Sequence, residues 1–175
     1  MKRFFVLFLA CLTFAGSSSV IGSTPPRRKT LAERVELATH VIVGTAKKVT
    51  VCEFKDGKIQ KVEPEPEVIA PYEIAEVEIE VNEVLYPLPW KPKKTVRYFF
   101  RGGWFEVASI RSDTVGKKLI YLMKANEYEE LKNESDVFFP SYDWNLAEQL
   151  EKKTEILAAL EPKIARDKKT AQDKK

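Results

Sequence analysis

The chain has 175 residues, 44% of them hydrophobic and 31% charged, with a formal net charge of +3. Lys2 and Arg3 fall in an N-terminal stretch that carries no acid, so the remainder is close to neutral. That balance excludes the strong basic excess of a nucleic-acid-binding protein, and the length suits one compact domain with a real core rather than two.

Met1–Arg3 is a basic start, Phe4–Ala15 an uncharged apolar run and Gly16–Ser23 a small-residue segment. This order predicts a secretory signal over residues 1–23, because the basic end stays inside, the apolar run enters the membrane and small side chains fit the cleavage pocket. The run is shorter than the ~20 residues of a spanning helix. The expected location is periplasmic or extracellular. Cys11 carries the alternative: Phe8-Leu9-Ala10-Cys11 partly resembles the cleavage box of a bacterial lipoprotein, which would anchor the protein to a membrane. Phe8 in place of the usual Leu, and the mostly apolar Leu12–Phe14 after the cysteine, favour the ordinary signal. Cys52 then stands alone, which predicts no internal disulfide and a free, inert thiol, and the protein is expected to be a monomer.

A polar leader, Thr24–Lys29, precedes a single domain expected over residues 30–162. Thr30 and Glu33 have the spacing of a helix-starting capping box, and Leu31, Val35 and Ala38 give a short helix one apolar face. From His40 the pattern turns to strand through Val41, Ile42 and Val43, resuming at Val49 and Val51, with Gly44 marking a bulge or bend. Asp56-Gly57 predicts a hairpin turn into a brief strand, Lys58–Val62. Glu63–Pro71 reads as a stiff exposed loop.

In Tyr72–Val84, Ala75, Val77, Ile79 and Val81 alternate with Glu76, Glu78 and Glu80, which gives one dry and one wet face. The glutamate row reads as a solvated face rather than a cation site. Prolines break the pattern in Tyr86–Pro92. Thr95–Arg101 is a further strand, ended by Gly102-Gly103. Trp104–Ile110 and Lys118–Lys124 complete the expected β material, the latter apolar on both faces and so central. Ala125–Asp136 is loop-like and Val137–Trp144 an aromatic connector. Asn145 is expected to cap a second helix with an apolar stripe of Leu146, Leu150, Ile156, Leu157 and Leu160. Pro162 is expected to end it, leaving residues 163–175 as a charged, disordered tail.

No catalytic constellation stands out, and no metal or cofactor site is expected. His40 and Cys52 are about 40 Å apart if one strand is fully extended, too far for a thiol–imidazole pair. Glu106, Asp113 and Asp143 lie near aromatics or turns, but no spacing singles them out as a glycosidase pair. The strongest local grouping is Arg97–Trp104. Val96, Tyr98 and Phe100 share one strand face and Arg97, Phe99 and Arg101 the other, so Arg97, Phe99, Arg101 and the turn residue Trp104 form a candidate ligand-binding strip. The competing reading buries Phe99 under the second helix and pairs the arginines with Glu76, Glu78 and Glu80.

Glu36–Val49, Tyr72–Pro87, VRYFFRGG and GKKLIYLMK, taken in order, resemble exported bacterial proteins with a netrin-like or metalloproteinase-inhibitor-like domain. The likeness spans roughly residues 31–124, departing at Thr39-His40, where Ala-Asp is usual, and at Tyr86-Pro87, where Lys-Gly is usual. The resemblance implies a fold, a five-stranded, partly open OB-like barrel with helices at its ends, mainly β overall. Protease inhibition does not follow, since the N-terminal cysteine and disulfides used by the animal inhibitors are missing. The expected function is an exported, non-catalytic binding domain for a protein or envelope component. The alternative is an inhibitor or immunity-type protein against a secreted hydrolase, using Glu63–Pro71 and Tyr86–Pro92 as contact edges.

Overall fold

The structure is a computed structural model that describes residues 28–55, 58–101, 103, 105–125, 136–142 and 146–173. Residues 1–23 with Cys11, the Asp56-Gly57 turn, Trp104, Asp143 and Asn145 lie outside the described residues. Among the described residues the fold is mainly β with three α-helices. Helix α1 (Leu31–Leu37) starts at the expected capping box: Thr30 accepts from the Glu33 N–H and Glu33 reaches back to the Thr30 N–H. Its face of Leu31, Val35 and Ala38 is buried.

Strands β1 (His40–Lys55), β2 (Lys58–Lys61), β3 (Val68–Ile69) and β4 (Glu73–Tyr86) follow, then β5 (Thr95–Arg101), β6 (Phe105–Glu106), helix α2 (Val107–Thr114), β7 (Lys118–Ala125), β8 (Val137–Pro140) and helix α3 (Lys153–Gln172). The main sheet has the order β2-β1-β4-β5-β8-β7, and β1 also pairs with β7, so the pairings return to their starting strand. All are antiparallel except β5 with β8. Such a circuit needs β1 and β4 to bend. Leu85, Asn82 and Lys47 are each skipped in the β1–β4 register, and a skipped residue coils its strand. Gly44 sits at one of these shifts because β4 passes close by: a Cβ there would lie 2.4 Å from the Ile79 Cγ2.

Three apolar clusters result. Alternate residues of the circuit, among them Ile42, Val77, Ile79, Tyr98 and Tyr121, fill its interior, joined by Val107 and Ile110 of α2. On the outer side of β1 and β7, Val41, Val43, Ile120 and Leu122 are covered by α1 and α3. This double coverage is why Lys118–Lys124 reads as apolar on both faces. A smaller cluster of Cys52, Ile74, Phe99 and Val137 lies on the outer face, with Ile59 and Phe139 packed against it.

Four expectations are corrected. Val107–Thr114 is a helix, not strand; Val107, Ile110 and Thr114 are its buried residues, a helical spacing. Val137–Pro140 is a strand, not a connector, and bonds to both β5 and β7. The helix expected from Asn145 begins at Lys153, while Leu146 and Ala147 pack on the interior core and Glu148 bridges Ile120. Finally, α3 runs through Pro162 to Gln172 instead of ending in a disordered tail. Pro162 and Ala158, whose carbonyl loses its N–H partner, are both on the exposed side, where that carbonyl is open to solvent. Beyond the proline, Lys163 is buried and donates to the carbonyls of Glu36 and Ala38, each at 2.6 Å, and of Val35 at 3.4 Å. Arg166 pairs with Glu36 at 2.6 Å, and the Tyr86 hydroxyl bonds to Asp167. These contacts hold the predicted tail in helical form.

Candidate ligand-binding face

Strand β5 alternates as expected: Val96, Tyr98 and Phe100 enter the interior core, and Arg97, Phe99 and Arg101 belong to the outer face. Phe99, however, is 0% exposed. Its cover is Ile59 of β2 and Phe139 of β8, whose ring centroid lies 5.9 Å away, not the C-terminal helix. Phe99 is therefore floor rather than contact surface. Arg97 lies over it, with its guanidinium carbon 5.1 Å from the ring centroid, and its Nε donates to Glu76 Oε1 at 2.5 Å. The competing reading of the strip thus holds for Arg97 and Glu76. Arg101 ends β5 with an exposed side chain, and Trp104 lies outside the described residues.

Two open grooves flank this floor. One, of about 330 Å³, is lined by Phe54, Pro71, Tyr72, Ile74, Arg101 and Phe139, with Glu73 at its base. The other, of about 200 Å³, carries charge of both signs: Lys48, Lys61 and Arg97 with Glu76 and Glu78 around Thr50, Cys52 and Ile59. Much of this charge is paired. Lys61 meets Glu63 at 2.8 Å, and further along the glutamate row Glu80 meets Lys47 and Lys94 at 2.6 and 3.3 Å. The row is a cross-paired face of the sheet, consistent with cations on β1 and β5 lying opposite it.

The first groove contains residues that the sequence did not single out. Tyr72 is 77% exposed and Phe54 41%, although both are large and partly apolar. Tyr72, expected as the first residue of the alternating strand, lies instead in the turn before it, where an aromatic has no core to fill; the signal available was the proline immediately ahead of it. Phe54 and Phe139 gave no such signal, since only the sheet order brings β1 and β8 to one groove.

The remaining candidates separate. Cys52 is buried, its Sγ 3.6 Å from Glu76 Oε2; burial and then the Glu76 charge push the thiol up to about 12. His40 lies far along the same strand, edge-on to Trp90 and Phe138 at centroid distances of 4.5 and 4.8 Å. Glu106 and Asp113 do share one groove, of about 460 Å³, beside α2, where Glu106 accepts from Ser109. Among the described residues no group of three His, Cys, Asp or Glu is placed to hold a metal, and no described helix is long and apolar enough to cross a membrane. Neither protein-family models nor curated proteins give any match to this sequence.

Proposed function

We propose that this chain is an exported, non-catalytic binding domain on an OB-type barrel, holding its ligand on the outer face of β1, β4 and β5. The barrel reading is supported by strand order. With the short β2, β3 and β6 set aside, the five strands of the circuit are joined in the sequence first, second, third, fifth, fourth, and the third and fifth run parallel. The apolar first segment of the sequence supports export. The single observation that carries the binding function is the groove in which exposed Tyr72 and Phe54 stand beside Arg101. Exposed aromatics next to a guanidinium are the side chains that recur at binding hot spots, whereas scattered exposed apolar residues carry no such meaning.

The test is retention of envelope material by the immobilised chain. Wild type should retain a component that Tyr72→Ala and Arg101→Ala lose, with the melting temperature of Tyr72→Ala unchanged. Retention indifferent to both changes, or turnover of a substrate by the chain, would sink the reading. A second reading, inhibition of a secreted hydrolase, draws on the Tyr86–Pro92 loop, where Leu88 is 70% exposed. A stoichiometric hydrolase complex abolished by Leu88→Glu would favour it instead.

A further inference from the structure

The groove beside α2 is separate from the outer face and shares no residue with the groove beside Tyr72. Phe100, Ile110, Leu119 and Leu146 reach it from the interior core and give it an apolar floor. Its volume of about 460 Å³ is that of a small-ligand pocket. The helix supplies one wall at helical spacing: Glu106 at the cap, then Ser109 and Ile110, then Asp113 and Thr114. At ~1.5 Å per residue the two acids stand about 10 Å apart along the axis, with apolar side chains between them.

Charge is laid out unevenly along this groove. At one end Asp113 and Lys117 both line it, yet neither side chain bonds or pairs with any described residue, the other included. In a continuous helix that spacing would bring them together. Here the helix stops at Thr114, and Gly116, with φ at 77°, turns the chain so that its N–H meets the Ala46 carbonyl. At the other end Glu106 is the charged lining residue. It follows Phe105, whose ring centroid lies 5.1 Å from that of Phe100. Glu106 accepts from the Ser109 hydroxyl at 3.1 Å, and a carboxylate has further acceptor sites.

A complementary ligand carries both charges at one end, an aliphatic stem, and a positive charge at the other end. A free basic amino acid has that order, whereas the same residue inside a peptide lacks the charged head. We propose that the α2 groove binds a free basic amino acid. Its α-ammonium meets Asp113, its α-carboxylate meets Lys117, its methylenes lie on the floor and its side-chain cation meets Glu106. Arginine is the probe of choice, because a guanidinium can take a carboxylate through parallel N–H bonds and stack on an aromatic ring. This site and the outer-face ligand are independent, and neither needs the other.

Titration calorimetry of the purified chain tests it with three probes: L-arginine, citrulline (the same head without the side-chain charge) and N-acetyl-L-argininamide (the guanidinium without the charged head). Arginine should bind about tenfold or more tightly than either, the effect of losing a charge-assisted hydrogen bond. Glu106→Gln, whose amide oxygen still accepts from Ser109, should bring arginine down to the level of citrulline. Asp113→Asn and Lys117→Met should each weaken arginine about tenfold and leave the blocked arginine unchanged. All three positions are exposed, so melting temperatures should stay at the wild-type value. Tyr72→Ala should leave arginine binding untouched. No heat with arginine, equal affinity for citrulline or the blocked arginine, or an affinity indifferent to Glu106→Gln overturns the proposal. Loss of arginine binding in Tyr72→Ala overturns it too, by placing the ligand in the other groove.

Discussion

His40 spends its imidazole on packing, and its titration should show this. Burial between Trp90 and Phe138 holds it below the ordinary histidine value of 6.5. As pH falls from there, the unfolded chain takes up a proton that the native chain resists, so the stability contributed by neutral His40 is lost as pH drops through its native value. Melting curves of wild type and His40→Phe between pH 7.5 and 5 check this: carboxylate effects are common to both, and wild type should lose more. Parallel curves would place His40 in an unstrained, water-like setting. Cys52 is governed by the same physics with the opposite sign, since burial and Glu76 disfavour its thiolate. It should resist a thiol reagent at pH 8 until the chain is unfolded, and rapid labelling of the native protein would contradict its placement. Gly44→Ala meets the fully buried Ile79 side chain rather than a flexible end, and should cost about 1–3 kcal/mol in denaturant unfolding.

Among the elements, α1 and α3 depend on each other through Lys163. The last carbonyls of a seven-residue helix are exactly the groups that its own backbone cannot satisfy, and Lys163 reaches Val35, Glu36 and Ala38 from the neighbouring helix. Its ammonium also lies 5.1 Å from the Tyr86 ring centroid, and burial lowers its pKa. Removing a buried, hydrogen-bonded charge leaves acceptors without donors, so Lys163→Ala should cost about 3 kcal/mol. For a chain of this size that is a fall of about 10 °C in melting temperature. Ending the chain after Pro162 should do at least as much, since Arg166 and Asp167 go as well. A truncated protein as stable as wild type would show that the last helical turns carry no load.

On the scale of the whole molecule, the two arginines of the outer face sit in different surroundings. Arg97 neutralises Glu76 and roofs Phe99, so Arg97→Ala should cost about 1–2 kcal/mol of stability. Arg101 lines the groove with an exposed side chain, and under the proposed function its loss should weaken ligand binding more than it lowers stability. Chemical denaturation of the two single variants distinguishes these roles, and equal destabilisation would return Arg101 to the scaffold.

The local rules were legible in the sequence. Thr30 and Glu33 announced a helix start, Gly44 a bend, Ala75–Val81 a half-wet strand and Lys118–Lys124 a doubly buried one, because each rests on contacts within a few residues or on which faces water reaches. The strip on β5 was half legible: alternation put Arg97, Phe99 and Arg101 on one face, but nothing local says that β2 and β8 close over Phe99. The same limit explains Val137–Pro140, too short and proline-ended to read as strand until β5 and β7 supply its bonds, and α3, where distant partners on α1 and β4 outweigh a proline. The groove beside Tyr72 is likewise tertiary, assembled from β1, the turn before β4, β5 and β8. Sequence set the faces; burial of one element by another decided which of those faces a ligand could still reach.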